Sequence, residues 1–248
     1  MIDIRCCDNL ELMSQIDDST IDLIYCDVLY GTGRKFKDYQ DLKPKRGIIE
    51  EHYIPRIKEM HRILKDTGSI YLQMDWKIEH WIRLIIDEYF ITQNCISWVY
   101  DRWTNSVNNY ISQSDRIIFA TNSSNYTFNK IKVPFSNKSK HKGIRYSKLK
   151  DNKLMQIYVN DERLKDCGNW WNISYLNSQA KERLCYDTQK PKALIERIIK
   201  ASSNEGDLVA DLYAGSFTTA EVCKDLNRNF IGCDINERAC KIGKLRCT

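Results

Sequence analysis

The 248 residues predict an α/β fold built on one sheet of seven strands. Three observations carry that expectation. Apolar runs of strand length alternate with stretches of helical period over most of the chain. Two of those runs end in an acid that opens directly into a loop. Residues 21–26 lead into Asp27-Val28-Leu29-Tyr30, and residues 208–210 lead into Asp211-Leu212-Tyr213-Ala214-Gly215-Ser216-Phe217. An acid at the carboxyl end of a buried strand is where open α/β sheets place their chemistry. Finally, the length suffices for one large α/β core and not clearly for two.

In chain order, residues 2–6 read as a short strand and 9–13 as a brief helix. Residues 21–26 form a continuous apolar run, the pattern of a strand buried on both faces. Residues 31–47 are polar and punctuated by glycine, hence a loop. Residues 49–64 have helical periodicity and meet a stop at Asp66-Thr67-Gly68. A strand over 69–74 precedes an amphipathic helix over 77–89, with Ile78, Trp81, Ile82, Ile85 and Ile86 inward. Strands over 97–100 and 116–121 follow. Residues 123–177 break the rhythm and read as an insertion on one face of the sheet. The alternation resumes with a helix over 192–202, a strand over 208–212 and a helix over 218–226. The last strand, 230–233, ends in Asp234, and a helix over 237–245 closes the chain.

Composition narrows the function classes. No apolar run approaches a membrane span and the N-terminus lacks a basic-then-apolar signal, so a cytoplasmic protein with no membrane partner is expected. The ten cysteines form no C-x-x-C pair and several lie in strand-like runs, which suits reduced, buried thiols. The four histidines have no ligand-like spacing, and no metal is assigned. The net charge of +5 hides an asymmetry: residues 130–153 hold eight lysines and one arginine against Asp151 alone. That window carries +8 and the remainder −3. A positive patch on a near-neutral body is the electrostatic footprint of polyanion binding, although a solvated basic loop has the same composition.

The order of motifs resembles the amino-group DNA methyltransferases that use S-adenosylmethionine, in the permuted arrangement called the β class. The target-site motif comes early and the cofactor motif late. Besides the two loops, the resemblance covers Gly31-Thr32-Gly33-Arg34, Arg62-Ile63-Leu64-Lys65-Asp66-Thr67-Gly68-Ser69-Ile70-Tyr71-Leu72 and Ser114-Asp115-Arg116-Ile117-Ile118-Phe119. It continues through Lys181-Glu182-Arg183-Leu184, Thr188-Gln189-Lys190-Pro191 and residues 198–203, so it spans nearly the whole chain. It implies a Rossmann-like methyltransferase fold with a mixed, mostly parallel seven-stranded sheet. A single domain over 1–248 would carry a DNA-contacting insertion at about 123–177.

The resemblance also implies the chemistry. Asp27 and the Val28 carbonyl would accept the two N–H bonds of an exocyclic amine, whose lone pair is otherwise delocalised into the base. Tyr30 would stack on a base flipped out of the duplex. An Asp at the first position favours adenine-N6 over cytosine-N4, the alternative substrate. The cofactor set would be Asp8 for the adenine amine, Asp234 for the ribose hydroxyls, and Asp27, Asp211, Tyr213, Ala214, Gly215 and Ser216 around the methionine end. Gln189 and Lys190 would close over that end. Arg34, Lys35, Lys138, Lys140, Lys142 and Arg145 would contact phosphates of double-stranded DNA. A cognate restriction endonuclease, another assembly subunit and a second copy of the chain are partners the family admits. Where the family has prolines, Val28, Leu29 and Leu212 stand, which removes fixed φ angles. Where it has the second glycine of the cofactor loop, Phe217 stands, adding bulk where backbone approaches cofactor. The reading that follows from these departures alone is a weakened, DNA-binding paralogue acting as a subunit.

Overall fold

Apolar runs that are buried on both faces become the middle of a sheet, and one-sided helices cover them. The computed structural model describes residues 1–36, 39–102, 105–134, 164–177, 179–184, 186 and 188–248, together with the strand backbone of 143–148 and 154–159. The first half contains β1 (Ile2–Cys6), α1 (Asn9–Ser14), β2 (Ile21–Asp27), α2 (Arg46–Ile63), β3 (Leu64–Met74), α3 (Trp76–Tyr89), β4 (Ile91–Val99) and β5 (Ser114–Thr121). Four short strands follow: β6 (Lys132–Pro134), β7 (Gly143–Lys148), β8 (Leu154–Val159) and β9 (Leu164–Asp166). The chain ends with β10 (Trp170–Asn172), α4 (Lys192–Ser202), β11 (Leu208–Asp211), α5 (Thr218–Asp225), β12 (Asn229–Asp234) and α6 (Glu237–Cys247).

Two units divide these elements: Met1–Asn129 with Asn169–Thr248, and Lys130–Gly168. The smaller unit is narrower than the expected insertion at 123–177. It consists of two antiparallel pairs, β6 with β9 and β7 with β8.

The larger unit holds one mixed sheet in the order β1-β12-β11-β2-β3-β5-β4-β10. Every pairing is parallel except β3–β5 and β5–β4. The expected count of seven strands is corrected to eight. The extra strand is β10, where Trp170, Trp171 and Asn172 pair with Ser97, Trp98 and Val99. Three residues show no period, and a strand this short is defined by its partner. Two boundaries also shift: α2 stops at Ile63, ahead of the Gly68 stop signal, and β4 starts at Ile91 rather than 97.

Helices α1, α2 and α3 contact one another on one side, while α4, α5 and α6 form a second group. Between them β2 is buried almost throughout, and Ile78, Ile82, Ile85 and Ile86 of α3 join the same core as Ile24, Cys26, Ile70 and Leu72. The switch point matters for function. The β11–α5–β12 unit leaves one side of the β11–β2 pair and β2–α2–β3 leaves the other, so a crevice opens beyond their carboxyl ends. Asp27, Asp211 and Asp234 end three of the parallel strands at that edge. No helix among the described residues is long and apolar enough to cross a membrane.

Candidate active site

The early loop is held by hydrogen bonds rather than by proline rings. The Val28 N–H donates to the Gln73 carbonyl at 3.0 Å, extending the β2–β3 ladder by one step that a proline could not make. The Tyr53 hydroxyl donates to the Leu29 carbonyl at 2.9 Å. Among the described residues no donor reaches the Val28 carbonyl, which leaves it available as an acceptor. The expected loss of stiffening at Val28 and Leu29 is therefore corrected: other groups supply it. Beyond Tyr30 the chain bends at Gly31, whose φ of +64° and position 2.5 Å (as a virtual Cβ) from Ile78 Cγ2 admit no side chain. Asp41 fixes this bend. Its carboxylate is buried and accepts from Gly31 N at 3.1 Å, Thr32 N at 2.7 Å, Thr32 Oγ1 at 2.5 Å and Leu42 N at 2.8 Å.

Asp27 lies at the mouth of this loop, partly buried. Oδ1 accepts from the Tyr30 hydroxyl at 2.9 Å, and Oδ2 accepts from Lys190 Nζ at 2.5 Å. Burial pushes the Asp27 carboxyl above the usual carboxylate range, and the Lys190 charge works against that rise. The same ammonium stands 5.2 Å from the centre of the Tyr30 ring.

The late loop is organised by two acids. Asp211 is buried, accepting from Thr219 Oγ1 at 2.5 Å and from Tyr213 N at 3.1 Å. Burial raises its carboxyl to about 7. The folded protein thus keeps a proton that the unfolded chain loses near pH 4, so this group makes stability fall as pH rises from about 4 to 7. Melting temperatures of wild type and D211N across that window should converge toward low pH and separate, with wild type lower, toward pH 7. Parallel curves would remove Asp211 from the account. Asp234 accepts from Gly215 N at 2.9 Å and Asn236 N at 2.8 Å, tying the turn to the end of β12. Gly215 has φ +50°, and a Cβ there would meet Tyr186 Cε1 at 3.3 Å.

Phe217 also has positive φ, +56°. Its ring is fully buried and packs edge-on to Phe230, with ring centres 6.3 Å apart, and against Gly243 of α6. The expectation that Phe217 crowds the cofactor turn is corrected: the left-handed backbone sends the ring into the core beneath α6. A one-letter comparison with a glycine position carries no sign of where the replacement side chain points.

A cleft of about 700 Å³, open mouth included, lies between the two loops. Of the residues expected to bind or react, Asp8, Asp27, Val28, Tyr213, Gly215 and Asp234 line it. Asp211, Ala214 and Ser216 stand behind the wall as parts of the turn. Gln189 is buried and braces its own segment, accepting from Leu184 N at 2.8 Å and donating to the Glu182 carbonyl at 2.6 Å. Lys190 reaches Asp27. Arg34 and Lys35 are exposed on the loop after Gly33. Lys138, Lys140 and Lys142 lie outside the described residues, and of Arg145 only the backbone, on β7, is described.

Sequence reading missed Tyr39, His52, Arg56, Tyr186 and Thr188, which also line the cleft. Arg56 donates to Asp8 Oδ2 at 3.0 Å and to Asn9 Oδ1 at 2.7 Å, while Asp8 Oδ1 caps α1 through Leu10 N at 2.8 Å. His52 meets the Tyr213 hydroxyl at 2.9 Å. Burial, assisted by the Arg56 charge, lowers its pKa to about 4, so the ring is neutral near pH 7. His52 and Arg56 sit one turn apart on α2, a spacing that sequence alone assigns to any helix face.

The cleft fits S-adenosylmethionine. Two carboxylates, Asp8 and Asp234, offer acceptors for amine and hydroxyl groups, the Gly215 turn admits close backbone approach, and Leu212, Ile235 and Tyr186 give apolar wall. The family model described as DNA methylase, of the N6/N4 type, matches residues 21–245. The chain belongs to the N6/N4 DNA methylase family. It is a β-class amino-methyltransferase, and S-adenosylmethionine is its methyl donor. Type II methyltransferase M.HpaI of Haemophilus parainfluenzae is 32% identical over 97% of this chain and 72% of its own length. DNA adenine methyltransferase YhdJ of Escherichia coli is 33% identical over 96% of this chain and 80% of its own. Among solved structures, the complex of M1.HpyAVI with S-adenosylmethionine superposes with a TM-score of 0.64 at 20% identity, covering 99% of this chain and 98% of that one. The cytosine-N4-specific PvuII DNA methyltransferase gives 0.71 at 15% identity, covering 100% and 86%. At these identities the structures speak for the shared fold of the methylase alone.

Proposed function

We propose that this methylase transfers the methyl group of S-adenosylmethionine to the exocyclic N6 of an adenine flipped out of double-stranded DNA. The observation that carries the reading is the pair of acceptors at the cleft, the Asp27 carboxylate and the Val28 carbonyl, which no donor reaches among the described residues, with Tyr30 hydrogen-bonded to Asp27. Accepting both N–H bonds of the amine draws its nitrogen toward a tetrahedral shape with an available lone pair. S-adenosylmethionine, when bound, would supply an electrophilic methyl carbon for that lone pair. Alignment and placed charge thus supply the catalysis, with no covalent intermediate on the protein. Asp8 would hold the cofactor's adenine amine, Asp234 its ribose, and the Gly215 turn its methionine end. Lys190 occupies the place the target amine takes, since its ammonium both pairs with Asp27 and lies over Tyr30. It must withdraw when the base enters. Adenine is favoured by the carboxylate at position 27 and by the likeness to an adenine methyltransferase over 96% of the chain. The basic window at 130–153 and Arg34 and Lys35 are the phosphate contacts of this reading. A cognate endonuclease is the partner suggested by the type II relatives. The test is incubation with duplex DNA and labelled cofactor, then nucleoside mass spectrometry. N6-methyladenine is expected, N4-methylcytosine would move the reading to cytosine, and no methylated nucleoside would reject it.

A further inference from the structure

Behind Asp27 runs a set of hydrogen bonds that positioning an amine does not require. Tyr30 Oη lies 2.9 Å from Asp27 Oδ1 and 2.6 Å from Asp115 Oδ2. Gln73 Nε2 donates to both Tyr30 Oη and Asp115 Oδ2 at 3.0 Å, and the Tyr25 hydroxyl fixes that amide by donating to Gln73 Oε1 at 2.9 Å. On the far side the Tyr100 hydroxyl donates to Asp115 Oδ1 at 3.0 Å. Asp115 is 6% exposed, and the three groups that donate to it are all uncharged.

Counting protons gives the arrangement its meaning. A phenol has one proton, and two carboxylates face this one. With the Tyr30 proton directed at Asp115, the nearer of the two, the contact to Asp27 lacks a donor, because the phenol has no second proton and an ionised carboxylate has none. Asp27, Tyr30 and Asp115 together are one proton short of a chain in which every contact donates. On the reading that this site methylates an amine, each turnover yields one proton. A C–N bond forms, the S–C bond breaks with its electron pair going to sulfur, and the substituted nitrogen is left with a surplus proton.

We propose that Asp115 is the proton acceptor of this active site, reached from the target nitrogen through Asp27 and Tyr30. Asp27 takes the proton from nitrogen. After the carboxyl turns, it gives that proton to Tyr30 Oη while Tyr30 gives its own to Asp115 Oδ2. Asp27 is then an anion again, Tyr30 a neutral phenol and Asp115 a neutral acid. Once the Tyr100 hydroxyl has swung toward water and the Asp115 carboxyl has turned its protonated oxygen toward Tyr100, which is only partly buried, Tyr100 takes that proton as it gives its own to water. Asp115 is then an anion again, and rotation of the two hydroxyls restores the starting state. Burial and the two neighbouring carboxylates hold the Tyr30 phenol far from ionisation, so it passes protons as a neutral group. The other titratable groups facing the chain are Tyr25, Tyr39, Asp211 and the Lys190 cation around Asp27 and Tyr30, and Asp75 and the Arg102 cation around Tyr100.

The test compares wild type, D115N and Y100F in single-turnover methyl transfer to duplex DNA, across pH and in mixtures of H2O and D2O. Calorimetric cofactor binding and melting temperature serve as controls. D115N is expected to slow transfer about 100-fold, with cofactor binding kept. The dependence of rate on deuterium fraction should change from curved in wild type to linear in D115N, because one of two coupled proton moves is gone. Y100F should slow transfer several-fold and keep the curve. A merely structural Asp115 would lower melting temperature and cofactor affinity together and leave the deuterium dependence as it was. Wild-type rate and curve in D115N overturn the relay; should D115N not fold, wild-type rate in Y100F overturns it. Wild-type protein that methylates no duplex DNA rejects the methyltransferase reading itself, an outcome distinct from either.

Discussion

Asp27→Ala is expected to lower methyl transfer by about a thousandfold or more while cofactor affinity changes little. The size follows from what the residue does. Removing one preorganised acceptor from a shielded site typically costs about 10²–10³ in rate, and here the same carboxylate also receives the proton. Cofactor affinity is spared because Asp27 stands at the mouth, while Asp8, Asp234 and the Gly215 turn line the cleft independently of it. The variant has one side effect to control. Lys190 loses its counter-charge, and its side chain is only 14% exposed, so an ammonium with no anion beside it is left largely buried near Tyr30. D27A/K190M removes both charges and isolates the chemistry. Radiolabelled transfer to duplex DNA gives the rate, and calorimetry with S-adenosylmethionine gives the affinity. Undiminished transfer by D27A would take Asp27 out of the reaction. Loss of cofactor binding in both variants would make it a cofactor residue instead.

Much of this site was legible because strand-end acids announce themselves locally. Asp27, Asp211 and Asp234 each close an apolar run of strand length, and that period places them at one edge of a sheet. What they do there was less legible. Asp211 follows the same pattern as Asp27, yet it is buried behind the wall and shapes the turn. The difference lies in Thr219, eight residues on, whose hydroxyl reaches back to it. Asp41 and Asp115 were hidden for a related reason: one sits in a polar loop and the other near the start of β5, and what each bonds is decided only when the chain is folded. Gln73, fully buried next to the end of β3, was the available signal, since a buried amide needs hydrogen-bond partners on both its ends. The cleft residues of α2 escaped because a helix face opposite the sheet of another element cannot be assigned before the elements are placed. β10 shows the same limit in the fold: its backbone pairs because β4 has an open edge, and three residues alone cannot say so.

The second large effect concerns stability and settles how the altered cofactor turn is accommodated. Phe217→Ala is expected to destabilise the protein by about 3–5 kcal/mol, the usual cost of emptying a buried aromatic site. Phe217→Gly should cost about 1 kcal/mol less, because glycine adopts the φ of +56° without the strain a side chain brings. Gly243→Ala probes the same contact from the other side. In an ordinary helix interior that change stabilises by about 1 kcal/mol. Here a Cβ at 243 would lie 2.5 Å from Phe217 Cγ and 2.9 Å from Phe217 Cβ. Those atoms are next to the backbone and the ring is backed by Phe230, so they cannot swing aside, and a net loss of about 1–3 kcal/mol is expected. The pair should be strongly non-additive. In F217G/G243A the new methyl enters space the ring has vacated, so the double variant should be more stable than the sum of the single changes requires. Urea denaturation of the four proteins measures this directly. Additive effects would mean that Phe217 is held by something other than α6, and would reopen the possibility that its ring turns toward the cofactor. Strong coupling would mean that the small residue in α6 is what permits a phenylalanine in a turn built for glycine, with the cleft left clear.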